Sequence, residues 1–245
     1  MKIGVLTRWY NEEFFSPFFL NHYQFADEIV ILLEESTNDK SREIIKKYDN
    51  ARIVICNTGS KLNDRILSDI MSDYLPFINV DWVIRADADE YCFPYDNLDP
   101  RKVLLEAKGD VINVWYKWVY RHKTDKDLDP TKETIWQRRH GGVYSIWPGM
   151  GNTFLKPAIV RPKCGIRWNP GDQSYQRNSK IKVSNITFDG VHWQTADCEN
   201  WIKRNFKNES RLSEENIKNK WGVKNFTAKM IREECEKHLN DPQLF

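Results

Sequence analysis

No stretch of this chain approaches the roughly 20 consecutive apolar residues that a membrane-spanning helix requires. There is no C-x-x-C pair either. The five cysteines, Cys56, Cys92, Cys164, Cys198 and Cys235, are odd in number and widely spaced, which suggests neither a zinc cluster nor a disulfide framework. The opening MKIGVLTRWYNEE reaches Glu12 and Glu13 before any long apolar run, so it resembles neither a secretory h-region nor a transit peptide. A cytoplasmic location is the expectation. The acceptor patterns at Asn185, Asn208 and Asn225 are then read as chance matches to the N-glycosylation rule. A strong charge of one sign is also missing: a net +2 gives no argument for nucleic acid as a partner, although it would not oppose an anionic ligand. Internal repeats and low-complexity segments are absent. What remains is 245 residues, 40% apolar, enough to bury a core as a single domain over 1–245.

Three short apolar runs, KIGVLT at 2–7, EIVILL at 28–33 and RIVIC at 52–56, have the form of buried parallel strands. Residues 12–25 carry phenylalanines at helix-compatible spacing, with Pro17 suited to a first turn. A second helix is expected over 40–48 behind a Ser-Thr-Asn-Asp cap, and a third over 62–75, ended by Pro76. DWVIRA at 81–86 is a fourth strand, so the first half alternates strand and helix as a parallel α/β sheet does. Such sheets collect ligands beyond the carboxyl ends of their strands, here 8–13, 34–39, 57–63 and 87–91, all polar. A strand-like aromatic segment follows at 110–120, then a Gly- and Trp-rich stretch at 141–168. Two amphipathic helices, about 198–218 and 225–239, are expected to pack outside as a cap.

Asp87-Ala88-Asp89-Glu90 stands directly after the fourth strand, and three carboxylates in four positions repel one another unless a cation sits among them. A divalent metal meets that need, because Mg²⁺ or Mn²⁺ takes one or two carboxylates and fills its shell with phosphate and water. The bland alternative is a solvated acidic turn. With RWYNEE after the first strand, EIVILLEESTNDKS and DWVIRADADEYCFP, residues 1–95 resemble a family 2 glycosyltransferase of the GT-A fold. The resemblance implies a mixed, mostly parallel sheet flanked by helices. It further implies a nucleotide-sugar donor (UDP-, GDP- or dTDP-linked), with Thr7, Arg8 and Asn11 and either Glu34 or Glu35 at the nucleoside, Asp87 at the ribose or metal and Asp89 at the metal. The acceptor half would then cover 96–196 and the helical cap 197–245. The second-strand acid, usually Asp, is Glu here, which leaves the base preference open.

Members of that fold often carry a late histidine at the metal, and His192 in GVHW is the candidate, against the ordinary alternative of a packed structural histidine. Inverting transfer needs a carboxylate within reach of the acceptor hydroxyl. Asp172 in RWNPGDQSY is the first choice and Asp189 the second, although Asp is common in turns for its own reasons. Trp115, Trp118, Trp136, Trp147 and Trp168 suit either sugar faces in a carbohydrate-containing acceptor or the core. Arg138, Arg139, His140, Lys61 and Arg65 are candidates for the donor diphosphate or a charged acceptor, with a solvated basic loop as the alternative. A nucleotidyltransferase would show a Gly-rich loop where RWYNEE stands. A haloacid-dehalogenase-like phosphatase needs its acidic pair after the first strand. A non-enzymatic sugar- or RNA-binding module over 115–140 leaves the acidic cluster unexplained.

Overall fold

The computed structural model of the chain describes residues 1–94, 98–125, 128, 140–143 and 154–239. Strands β1 (Ile3–Trp9), β2 (Glu28–Glu34), β3 (Ala51–Cys56) and β4 (Trp82–Arg85) pair in parallel in the spatial order β3-β2-β1-β4. Helices α1 (Ser16–His22), α2 (Ser41–Ile45) and α3 (Asp64–Tyr74) connect them. β2 reads as an unbroken apolar run because both of its faces are covered. Ile29, Ile31 and Leu33 join a core with Phe18, Phe19 and Trp82, while Val30 and Leu32 pack with Met71 and Leu75 on the other face. The sheet is therefore the middle of three layers. α3 starts where Asn63 accepts a hydrogen bond from the Ile66 amide, and it presents Met71 to the sheet and Leu67, one turn earlier, to the cavity at its edge.

The second half extends the same sheet. β5 (Glu90–Pro94), β6 (Val111–Tyr120), β7 (His140–Val143), β8 (Phe154–Val160) and β9 (Val183–His192) add to it, with α4 (Pro100–Glu106) between β5 and β6. The order continues from β4 as β8-β6-β9-β5, and β7 pairs with β6. β8 is antiparallel to both β4 and β6, β9 is parallel to β6, and β5 is antiparallel to β9. The mixed α/β sheet flanked by helices agrees with the architecture that the resemblance implies. Neither β5 nor α4 was expected, since five residues of EYCFP carry no periodicity that separates a strand from a loop.

The C-terminal segment differs from two continuous helices. It forms α5 (Cys198–Glu209), α6 (Glu214–Asn219) and α7 (Ala228–Leu239), the first two separated because Ser213 caps a new helix through the Asn216 amide. α5 and α7 bury Trp201, Ile202 and Ile231 against Trp118 and Tyr120 of β6. Each such side chain contributes about 1.5–3 kcal/mol by leaving water. α5 is thus anchored to β6. Among the described residues no helix is long and apolar enough to cross a membrane.

Candidate functional site

The carboxyl ends of β1 to β4 open into a cavity of about 530 Å³. Arg8 and Tyr10 come from the end of β1, Glu34 from β2, Cys56 and Thr58 from β3, Asp87 and Asp89 from the turn after β4, and His192 from the end of β9. The far wall is α5 with Arg204, Asn208 and Glu209, together with Trp221 to Lys224. The acidic turn and the late histidine meet through one pairing: β5 runs antiparallel to β9 with Glu90 opposite His192, and the Trp193 amide donates to the Asp89 carbonyl at 2.7 Å. That register brings His192 Nε2 to 3.0 Å from Asp89 Oδ2.

Cationic side chains run through the acidic cluster. Lys156 of β8, wholly buried, donates to both oxygens of Glu90 at 2.7 and 2.8 Å and lies 3.3 Å from Asp87 Oδ2. Arg85, also wholly buried, donates to Asp87 Oδ1 at 2.9 Å and to Asp172 Oδ2 at 2.6 Å. Arg8 adds a contact of 3.2 Å to Asp172. Arg204 of α5 pairs with Asp89 and lies 3.4 Å from Glu12, whose carboxylate also meets Lys207 at 3.2 Å. Burial alone would raise the pKa of Asp87, but Arg85, Lys156 and Arg8 hold it well below the carboxylate range. Burial likewise opposes ionisation of Asp89, and Arg204 with His192 keeps it low. Asp64 goes the other way, raised by burial that Arg8 only partly offsets. Lys224 on the far wall is pushed down to about 8 by burial, and Arg204 adds to that.

The sequence candidates separate into those on the cavity and those beneath or beside it. Arg8, Glu34, Lys61, Asp87, Asp89 and His192 line it. Glu34 is buried and accepts from the Thr58 hydroxyl at 2.6 Å. Thr7 is buried under the floor, accepting from the Trp9 indole. Asn11 exchanges hydrogen bonds with Asn38 and so ties the first two loops together. Glu35 accepts from Asn57 at the surface, and Arg65 pairs with Glu215 and stacks on Trp221. Trp118 lines the cavity 4.1 Å from the His192 ring, whereas Trp168 is core and Trp115 half-buried. Arg138, Arg139, Trp136 and Trp147 lie outside the described residues, and His140 is described only as backbone paired to Tyr120.

The two candidate bases lie away from the cavity lining. Asp172 has no exposed surface and does not line the cavity. Its Oδ1 accepts from the Ser68 hydroxyl and its Oδ2 is shared by Arg85 and Arg8, so it orients two arginines and has no face toward an acceptor. Its left-handed φ of 57° follows Gly171 in the expected turn, a conformation Asp tolerates. Asp189 also lies off the cavity, on β9 between Phe93 and Trp115. Glu209 does face it, with Oε1 buried and without a hydrogen-bond partner among the described residues.

Sequence reasoning missed Lys156, Arg204 and Glu209. A lone lysine inside FLKPAIV was a readable sign of a buried partner, because a lysine is almost never fully buried unpaired. Arg204 and Glu209 gave no such sign among the many charges of α5.

Among the described residues no three His, Cys, Asp or Glu side chains form a complete metal cage. An ion of the Mg²⁺ or Mn²⁺ type does not require one, since one or two carboxylates suffice beside a diphosphate. The donor set fits that use: Asp89 Oδ1 is buried and has no hydrogen-bond partner among the described residues, and Asp87 and His192 are its neighbours on the same wall.

No family model matches the chain, and no curated protein matches it. Among solved structures it is similar to S. aureus TarS 1-349, at TM-score 0.46 and 14% identity over 84% of this chain and 63% of that one. In the complex of the same TarS segment with UDP the TM-score is 0.47 and the identity 13%, over 98% and 71%. Glucosyl-3-phosphoglycerate synthase from Mycobacterium tuberculosis, in complex with Mn²⁺, UDP and phosphoglyceric acid, gives 0.31 and 19% over 48% and 43%. The chain thus spans under two thirds of the first of these structures. Likenesses this distant carry no argument about the chemistry, which has to be read from the cavity's own residues.

Proposed function

We propose that the chain is a metal-dependent glycosyltransferase, one catalytic unit over 1–245, that moves a hexosyl or deoxyhexosyl group from a nucleoside-diphosphate donor to a glycan, lipid-linked or protein-linked acceptor. One observation carries this reading: the carboxyl edge of four parallel strands opens into a cavity where two low-pKa aspartates stand among arginines and lysines. A nucleoside diphosphate needs that combination. Its base and ribose require polar groups at the strand ends, here Glu34, Thr58 and Lys61, and its phosphates require cations, here Arg204 and Lys224.

Asp87 and Asp89, with His192, would hold Mn²⁺ or Mg²⁺, which would supply Lewis-acid neutralisation of the leaving diphosphate. Arg85, Lys156 and Arg8 keep Asp87 ionised. Glu209 takes the place of Asp172 and Asp189 as the carboxylate that receives the acceptor's proton, for an inverting transfer. Trp118 and Trp221 offer apolar faces in the same cavity for a sugar ring.

The test is release of free nucleoside diphosphate from a panel of UDP-, GDP- and dTDP-sugars with Mn²⁺, followed by mass spectrometry. One nucleotide class should react, and Asp89→Asn should abolish the reaction. Glu209→Gln should keep donor affinity while losing at least about 100-fold in transfer rate, the lower end for a general base. A panel that gives no turnover and no metal-dependent binding would instead favour a sugar- or RNA-binding module.

A further inference from the structure

Arg204 projects from the middle of α5 into the cavity. Its Nη1 pairs with Asp89 Oδ2, its Nε lies 3.4 Å from Glu12, and its guanidinium carbon sits 5.3 Å from the centre of the Phe15 ring. Asp89 is 1% exposed, so water cannot serve its charge and a cationic partner must stay beside it. A guanidinium and a divalent ion both require that carboxylate, and in a site this dry they repel each other. The helix itself is held in place. Three residues further on, the Lys207 ammonium donates to the carbonyls of Tyr10 and Asn11, both at 2.9 Å, while Trp201 and Ile202 anchor α5 to β6. α5 thus stays in place while the Arg204 side chain, held by ion pairs, can change partner.

A diphosphate in the same cavity offers Arg204 what Asp89 gives it now, a planar pair of anionic oxygens that suits a guanidinium fork. Resting on the donor-and-metal reading of this cavity, we propose that Arg204 is an exchangeable counter-ion. It neutralises Asp89 in the nucleotide-free protein, transfers to the diphosphate when donor binds, and thereby frees Asp89 for the divalent cation. Metal and nucleotide then bind with positive coupling that runs through one side chain, and the coupling is reciprocal. Arg204 acts here as a positioning and gating residue. Metal loading without donor is disfavoured because it places a divalent ion and the guanidinium on the same buried carboxylate, with no diphosphate to draw the guanidinium away.

The experiment is Mn²⁺ titration of the nucleotide-free protein, read as loss of the free-ion electron paramagnetic resonance signal. It is run for wild type, Arg204→Gln and the double variant Arg204→Gln/Asp89→Asn, then repeated with UDP, GDP and dTDP, with thermal melts to establish folding. Arg204→Gln should bind Mn²⁺ about fivefold or more tightly than wild type without nucleotide, the lower end of ordinary coupling. Nucleotide should also improve Mn²⁺ affinity less in the variant than in wild type. Equal or weaker Mn²⁺ binding by Arg204→Gln that still depends on Asp89 overturns the exchange and leaves the metal site standing. Binding that is the same in the single and double variants overturns both the exchange and the assignment of metal to Asp89.

Discussion

Replacing Lys156 by Met should destabilise the protein more than any single surface change, and the structure sets the size. The ammonium is wholly buried between Glu90, 1% exposed, and Asp87, and both Glu90 oxygens depend on it at 2.7 and 2.8 Å. Met matches the stem but leaves Glu90 with Arg85, 3.6 Å away, and the Asp87 amide, which donates to its Oε2 at 3.0 Å. Stranding one partner of a buried pair costs about 3–5 kcal/mol, and the remaining arginine puts this case near the lower end. For a chain of this length each kcal/mol moves Tm by roughly 2–4 °C, so the melt should fall by about 6–12 °C, with a matching loss in urea denaturation. Adding Glu90→Gln should recover part of the loss, because the orphaned charge is then gone. A loss below about 1 kcal/mol, or no recovery in the double variant, would refute the argument that Lys156 is the cluster's structural cation.

Gly190→Ala should cost about 1–3 kcal/mol by urea denaturation, because a Cβ there would meet the Tyr116 ring at 2.6 Å and Val114 at 2.9 Å in the middle of the β6–β9 pairing. His22 is held neutral by burial, its pKa lowered to about 4 although its hydrogen bond to the Cys92 carbonyl works against that. The unfolded chain takes up a proton near pH 6.5 that the folded one refuses, so stability is full above that pH and is lost as pH falls toward 4. The loss should reach at most about 3 kcal/mol, since His22 keeps an edge at the surface, and His22→Gln should flatten that part of the profile. Asp87 and Asp89 have lowered folded values, so their contribution is present above about pH 4 and disappears as pH falls below it. Asp89→Asn should remove part of that acid limb in melts taken between pH 5 and pH 2, on the order of the window those two groups span.

The first half of the fold was legible because its strands are continuous apolar runs closed by polar ends, and each polar end reaches the rim or the floor of the cavity. The acidic turn was legible for the same reason: Asp87 and Asp89 stand directly after β4. The second half was not, because its pairings are non-local. β5 exists as a strand only because β9 arrives beside it from a hundred residues away, and that pairing puts His192 against Asp89. The cation expected among the carboxylates from their mutual repulsion turned out to include this chain's own Arg85, Lys156 and Arg204. Only tertiary docking selects Arg204 from the charges of α5, and no periodicity reports that. Asp172 occupies the turn the sequence indicated, yet a turn says nothing about which side chains will close over it, here Ser68, Arg8 and Arg85.

Calorimetric titration of UDP, GDP and dTDP in Mn²⁺ into wild type and Asp89→Asn tests Asp87 and Asp89 as the marks of a nucleoside-diphosphate site. One nucleotide should bind wild type with a metal requirement and lose at least about tenfold in affinity in Asp89→Asn, the size expected when one partner of a buried charge contact is removed. Binding of that nucleotide with equal strength in the folded variant, or no binding of any of them to wild type, would contradict the account.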